Sequence, residues 1–234
     1  ETGLIYQFYA TNILKENLAS VVTSIGLDHL DWLPKKEQTI EKIIFEKTSK
    51  LLNSKIIIAK QSSNKISNQI KKTISKNMSQ KYFFNKDYYY SFNKNDSFYY
   101  KDKYGDIKLP NPNVSGQFQL ENISTAIATL RSIDHLKISD EHIKSGITKI
   151  QNFARLQEIT KGKLKGLIKK NKLLIDGSHN PLGAKVLNEY LDSLNCNKHV
   201  ILGMMANKDH QEYIKYFKNI STFTTIDIPN QPNS

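Results

Sequence analysis

Apolar residues in the first part of the chain come in short β-branched runs, each followed by a polar loop and then by apolar positions at helical spacing. The clearest instance spans residues 21–47. Val21, Val22, Thr23 and Ile25 read as a buried strand, Gly26 breaks it, and Asp28, His29 and Asp31 stand in a polar loop before Pro34. In the helix that follows, Ile40, Ile43, Ile44 and Leu51 form one stripe, and Lys47 falls on that stripe one turn beyond Ile43. An ammonium facing a core is costly unless it is paired, deprotonated or covalently altered. Two readings of Lys47 follow. In one it is carbamylated by carbon dioxide into a carboxylate-like metal ligand, with His29 serving the same ion. In the other its stem packs while its charge reaches water near the helix C-terminus.

The same patterning places further elements. The strand around Val21 extends over residues 18–25, and the run at 55–59 (KIIIA) reads as another buried strand. Residues 62–77 form a lysine-rich helix with Ile66, Ile70 and Ile74 as a narrow packing stripe. From 82 to 109 aromatic and polar residues alternate, and N-K-N-D and Y-G-D supply turns, which predicts antiparallel hairpins. Aromatics interleaved with lysines could stack bases; cross-strand aromatic pairs are the commoner cause. Gly116 leads into a helix carrying Leu120, Ile123, Ile127 and Leu130, with Asn122 near its beginning, and residues 140–150 form another with Asp140 as N-cap.

The character changes around residues 152–157. RLQEI and LKGLI flank K-G-K, which predicts a hairpin, and the domain boundary is placed here. A βα repeat follows. Strand 173–175 ends in Asp176-Gly177-Ser178-His179-Asn180, and Pro181 opens a helix where its missing N–H costs nothing. Strand 200–202 likewise runs through G-M-M-A-N-K-D into a helix from about His210, and 222–228 is a third strand. Asp176 and His179 therefore stand at the carboxyl end of a strand facing a helix N-terminus, the usual ligand position in open α/β sheets. The plainer alternative is capping, with Asn180 and Asp209 closing helix N-termini and His179 merely exposed.

Composition narrows the function classes. The chain has 234 residues, 38% of them hydrophobic, enough for one large or two small cores. Its 34 basic and 22 acidic residues give a charge of +12. Only Arg131 and Arg155 are arginines, and the lysines are scattered, so a solvated basic surface is preferred over a nucleic-acid interface. Such a surface also suits an anionic substrate. Cys196 is the single cysteine, which excludes an internal disulfide, and it is expected to be partly buried. No apolar run is long enough to span a bilayer, so no membrane partner is expected and the default compartment is the cytoplasm.

In chain order, E-T-G-L, A-T-N, S-I-G-L-D-H, E-K, G-Q-F-Q-L-E-N, A-R-L-Q, D-G-S-H-N-P-L-G-A and G-M-M-A-N-K-D resemble the motifs of the folylpolyglutamate synthase and dihydrofolate synthase family, relatives of the Mur ligases. The resemblance implies an ATP-dependent carboxylate-amine ligase. Its partners would be folate or dihydropteroate and L-glutamate, and its cofactors ATP and Mg2+. By the same resemblance Glu1 and His29 match magnesium-binding positions and Lys47 the carbamylated lysine. Asn122 matches a residue at the adenine and Arg155 one at the ATP phosphates, while Asp176 and His179 fall in the nucleotide-binding motif of the second domain. Arg155 and His179 would stabilise phosphate oxygens during transfer, with Lys47 anchoring a metal.

Several positions depart from the family pattern. No G-x-x-x-x-G-K-[ST] occurs, so the amides and lysine that cradle ATP phosphates are absent from these residues. Ile5, Tyr6, Gln7, Phe8 and Tyr9 stand for G-G-R-L-D, Phe118 for His, Asn152-Phe153-Ala154 for W-P-G, and Pro34 for Gly. The expected fold is α/β. Residues 1–152 would be a remnant of a Mur ligase-like central ATPase domain without its P-loop part, and 153–234 a partial Rossmann-like C-terminal domain. The function expected is that of the ligase, with an upstream P-loop fragment as a candidate partner. The alternative is a catalytically inactive fragment or pseudogene product of the family.

Overall fold

The computed structural model describes residues 14–28, 30, 33–93, 97–231 and 233. The chain divides into two compact units, one running to Asn113 and resuming over Phe118–Gln151, the other made of Val114–Gln117 and Asn152–Ser234.

The first unit is built on a parallel βαβαβ run: β1 (Ala19–Val22), α1 (Ile40–Thr48), β2 (Lys55–Ile58), α2 (Asn64–Thr73) and β3 (Lys81–Phe83), with strand order β1-β2-β3. The isoleucines of β2 pair on both sides, Ile57 with Val21 and with Tyr82, and a central parallel strand buried on both faces needs such a continuous apolar run. Thr39 caps α1 by accepting from Lys42 N at 3.2 Å, and Ser63 caps α2 by accepting from Ile66 N at 3.3 Å. One face of the sheet packs Val22, Ile56 and Ile58 against Ile43 and Ile44 of α1, Ile70 of α2 and Ile74 just past its end. β1 is shorter than the 18–25 strand predicted. The reason is Gln61, whose Oε1 accepts from Ile25 N at 3.0 Å while its Nε2 donates to Thr23 O and Ala59 O, drawing the chain out of the ladder.

On the opposite face, where Ile57 is buried, α3 (Gln117–Ser132) lies antiparallel to β2. Lys60 beyond one end of β2 pairs with Glu121 at 2.7 Å, and Lys55 at the other end pairs with Asp134, just past α3, at 3.0 Å. Between them the Tyr88 hydroxyl donates to Ile58 O at 3.0 Å and lies 3.2 Å from Thr125 Oγ1. Burial pushes Tyr88 up to about 12, so this tie stays neutral.

Residues 88–109 form an antiparallel sheet of β4 (Tyr88–Asn93), β5 (Ser97–Asp102) and β6 (Gly105–Leu109). Tyr82, predicted to begin these hairpins, belongs instead to β3. Tyr90 pairs with Tyr100 and Phe92 with Phe98, and Tyr88, Phe98 and Tyr100 are almost wholly buried, so aromatic packing accounts for the alternation. Gly105, at φ 116°, closes the turn between β5 and β6, where Asp102 Oδ1 accepts from Tyr104 N at 2.8 Å. Asp102 also binds Arg131 of α3, which reaches Asp140 at the start of α4 (Asp140–Thr148). The α4 N-cap is Ser139, not Asp140: the Ser139 hydroxyl accepts from His142 N at 3.3 Å, leaving the Asp140 carboxylate for Arg131.

The second unit contains β7 (Gln157–Glu158), α5 (Lys163–Ile168), β8 (Leu174–Ile175), α6 (Pro181–Asp192), β9 (His199–Leu202), α7 (His210–Ile214) and β10 (Thr222–Thr225). LKGLI is helical, contrary to the predicted hairpin, because Gly162 at φ 102° turns the chain and β7 takes β8 as its antiparallel partner. β9 and β10 are parallel, and Ala184 of α6, Met204 and Tyr213 of α7 form the buried centre beside them. Cys196 is exposed, not partly buried. Among the described residues no helix is long and apolar enough to cross a membrane.

Candidate functional site

Two loops of the second unit meet where β7 begins and β8 ends. Pairing of Gln157 with Ile175 brings Ala154-Arg155-Leu156 alongside Asp176-Gly177-Ser178-His179. Ala154 and Leu156 take left-handed conformations, at φ 52° and 50°, which non-glycine residues adopt only when their surroundings hold them there. Leu156 is buried at 3% exposure, while Arg155 between the two is turned out to solvent. Three bonds fix this turn: Gln157 Oε1 accepts from Ala154 N at 3.0 Å, Gly177 N donates to Ala154 O at 2.8 Å, and Arg155 Nη1 donates to the same carbonyl at 3.0 Å.

Asp176 links the loops. Its Oδ2 accepts from Leu156 N and its Oδ1 from Ser178 N, both at 2.8 Å. Both oxygens are engaged by the protein's own amides, so the local role of Asp176 is to hold the arginine turn against the histidine loop. A Cβ on Gly177 would fall 2.7 Å from Arg155 Nη1, which shows how closely the guanidinium lies over this backbone.

His179 is exposed, and its Nδ1 lies 3.0 Å from Gly177 O. A carbonyl can only accept, so Nδ1 carries a proton and donates here, and Nε2 accepts when the ring is neutral and donates when it is protonated. Asn180 caps α6, its Oδ1 accepting from Gly183 N at 2.8 Å, and Pro181 stands in the first turn. The capping alternative is thus present together with the site geometry. An exposed guanidinium, an imidazole and a helix N-terminus beside one another form a setting suited to an anion.

Gly183 lets this loop sit on α6. A Cβ there would come 2.8 Å from Ser178 Cβ and 3.3 Å from Asn180 Oδ1, neither of which can swing away. Gly183→Ala is expected to destabilise the second unit by about 1–3 kcal/mol through overpacking, despite the better helix propensity of alanine. Urea denaturation followed by circular dichroism measures this; an unchanged or raised midpoint would show that the loop is free to move off the helix.

The other predicted residues lie elsewhere. Asn122, in the second turn of α3, is exposed, with its Nδ2 3.4 Å from Gln119 Oε1. Lys47, predicted on the buried stripe of α1, is only half-buried; the positions turned inward are Ile43, Ile44 and Thr48, and the Thr48 hydroxyl donates to Ile44 O at 2.7 Å. In projection Lys47 falls between Ile43 and Ile44, within the face those residues bury, so its stem packs there while the side chain as a whole is only half-covered. Glu1, His29 and Asp31 lie outside the described residues. Among the described residues no three His, Cys, Asp or Glu side chains are placed to hold a metal.

No protein-family model matches the sequence. A curated relative, the dihydrofolate synthase/folylpolyglutamate synthase of Escherichia coli (strain K12), is 28% identical over 227 residues, covering 94% of this chain and 48% of its own. The folylpolyglutamate synthase of Thermotoga maritima superposes with a TM-score of 0.75 at 20% identity, over 99% of this chain and 52% of that one. The bifunctional folylpolyglutamate synthase/dihydrofolate synthase of Yersinia pestis, complexed with AMPPNP and a manganese ion, gives a TM-score of 0.76 at 24% identity, over 94% of this chain and 50% of that one. The chain resembles the folylpolyglutamate and dihydrofolate synthases and has their fold, over about half their length.

Within this folylpolyglutamate synthase fold, the residues that sequence reasoning missed are those that act on the motif from outside it. Ser178 carries no role of its own in the D-G-S-H-N pattern, yet its Oγ lies 2.9 Å from the hydroxyl of Tyr213 on α7. A tyrosine in a helix otherwise packed by Ala184 and Met204 was the available signal, because a buried hydroxyl needs a partner.

Proposed function

We propose that the chain works as part of an ATP-dependent carboxylate-amine ligase of the folylpolyglutamate synthase type, adding L-glutamate to a folate, with dihydropteroate as the alternative acceptor. ATP phosphorylates the acceptor's carboxylate, the amine of glutamate displaces the phosphate, and an amide, ADP and phosphate result. The observation that carries this reading is Arg155, held outward by two left-handed neighbours beside His179 and the N-terminus of α6. Arg155 binds phosphate oxygens through its fixed fork of donors. His179 lies next to it and accepts or donates at Nε2, and Asp176 keeps the two loops in register. Asn122 is the proposed adenine contact. Glu1, His29 and a carbamylated Lys47 are the proposed ligands of magnesium, which when bound would shield phosphate charge.

Similarity to the Escherichia coli enzyme supports the choice of acceptor, and the AMPPNP in the Yersinia pestis relative supports a nucleotide. The test is ATP binding by calorimetry together with ADP release in the presence of magnesium, ATP, glutamate and tetrahydrofolate. Release should need both substrates, and Arg155→Ala should weaken nucleotide binding about tenfold. A chain that neither binds nucleotide nor releases ADP, alone or with an added P-loop fragment of a relative, would instead be a non-catalytic member of this fold.

A further inference from the structure

Ser178 sits in a narrow place. On one side is the bare Cα of Gly183, where a methyl group would come 2.8 Å from Ser178 Cβ. On the other is Tyr213, whose hydroxyl lies 2.9 Å from Ser178 Oγ. The Ser178 amide donates to Asp176 Oδ1 at 2.8 Å, so backbone and side chain are both committed. Tyr213 is itself fixed: it is 2% exposed, packs with Ala184 and Met204, and meets Phe217 with ring centroids 5.2 Å apart. Its helix starts from the G-M-M-A-N-K-D loop, where Asp209 Oδ1 accepts from Glu212 N at 3.0 Å and His210 Nε2 lies 2.8 Å from Met205 O. The loop after β9 is thereby tied through a single rigid ring to the loop after β8.

We propose that Tyr213 is a positioning residue for the anion site: through Ser178 it sets the placement of His179 and joins the β9 loop to the arginine and histidine loops. Tyr213 is buried and acts through Ser178. Ser178 is the only residue between Gly177, whose carbonyl orients the imidazole, and His179 itself, so a shift at Ser178 passes directly to the ring. The burial of Tyr213 shields its end of this bond from competing water. The inference rests on the reading of this site as a nucleotide-phosphate site, but the geometry it claims can be measured without any nucleotide.

The experiment uses the whole chain and three variants, Tyr213→Phe, Ser178→Ala and the double substitution. Tyr213→Phe keeps the ring and its packing and removes only the oxygen; Ser178→Ala removes the other partner without touching the core. Three readouts are taken: thermal unfolding, amide hydrogen exchange at Ser178 to Asn180 with the imidazole 15N shifts of His179, and the Kd for ATP. Each single variant should move the His179 shifts and raise loop exchange about fivefold, the worth of one hydrogen bond, and should weaken ATP to a similar extent. The double variant should add nothing to either single one, because both break the same bond. Additive effects, or a lower melting temperature with His179 shifts and loop exchange unchanged, would overturn the proposal and leave Tyr213 as a core residue. Shifts in His179 and loop exchange in a protein that binds no ATP would keep the positioning role and reject the nucleotide reading instead.

Discussion

Arg131→Met is expected to destabilise the first unit by about 3–5 kcal/mol, the cost of leaving a buried charge without its partner. Arg131 holds Asp102 in a two-pronged pair, Nε to Oδ2 at 3.0 Å and Nη2 to Oδ1 at 3.2 Å, and its Nη1 reaches Asp140 at 3.1 Å. The side chains are 11% and 7% exposed, so water cannot replace the lost guanidinium. Asp102 would keep the Tyr100 hydroxyl and the Tyr104 amide as donors, but no positive charge among the contacts described. The pair joins the end of β5 to α3 and α4, and its loss should loosen both helices against the antiparallel sheet. Urea denaturation followed by circular dichroism checks the size, with Lys101→Ala as control, because Lys101 and Asp106 form an exposed pair worth well under about 1 kcal/mol. Adding Asp102→Asn to Arg131→Met should recover part of the loss by removing the stranded charge. A shift no larger than that of the control would mean that the carboxylate finds solvent when the arginine is gone.

Which features were legible in the sequence follows from where their information lies. The KIIIA run placed β2, and Pro181 and the D-G-S-H-N run placed the start of α6, because local sequence alone dictates a buried strand or a capped first turn. The helical stripe places Lys47 between Ile43 and Ile44 on the inward face of α1, where it is half-buried; that Thr48 beside it is the more deeply buried, its hydroxyl satisfied within the helix, is not marked in the local pattern. LKGLI read as the second strand of a hairpin, and only the pairing decides such a short apolar run; β7 takes its partner further on, in β8, where Gln157 pairs with Ile175. The strand after Val22 ended early because of Gln61, whose bonds to Thr23 and Ile25 cross between two loops and leave no trace in either local pattern. At the candidate site the resemblance assigned Arg155 to the ATP phosphates and Asp176 and His179 to the nucleotide-binding motif, which left their adjacency to the fold. The left-handed turn, the bare Cα of Gly183 and the Tyr213 hydroxyl are tertiary facts.

Asp176 gives the second large effect, and it separates two roles for the same residue. Asp176→Ala removes the acceptors of Leu156 N and Ser178 N together, two charge-assisted bonds that jointly contribute about 3 kcal/mol or more to loop order. Without them the left-handed Leu156 is held by its burial, the pairing of β7 and the three bonds at Ala154 alone, none of which engages its own amide, and Arg155 loosens with it. Hydrogen exchange at Leu156 and Ser178 should therefore rise by about two orders of magnitude, and ATP affinity should fall further than in Arg155→Ala, since both loops are released at once. Asp176→Asn should be intermediate: its amide keeps one acceptor and turns an N–H toward the other donor. If Asp176→Ala weakened ATP binding while both amides stayed protected, the carboxylate would be a direct ligand contact, as its place in the motif first suggested. If exchange rose in step with the loss of affinity, the aspartate acts by holding Arg155 and His179 in place, and the anion site depends on this one crossing of two loops.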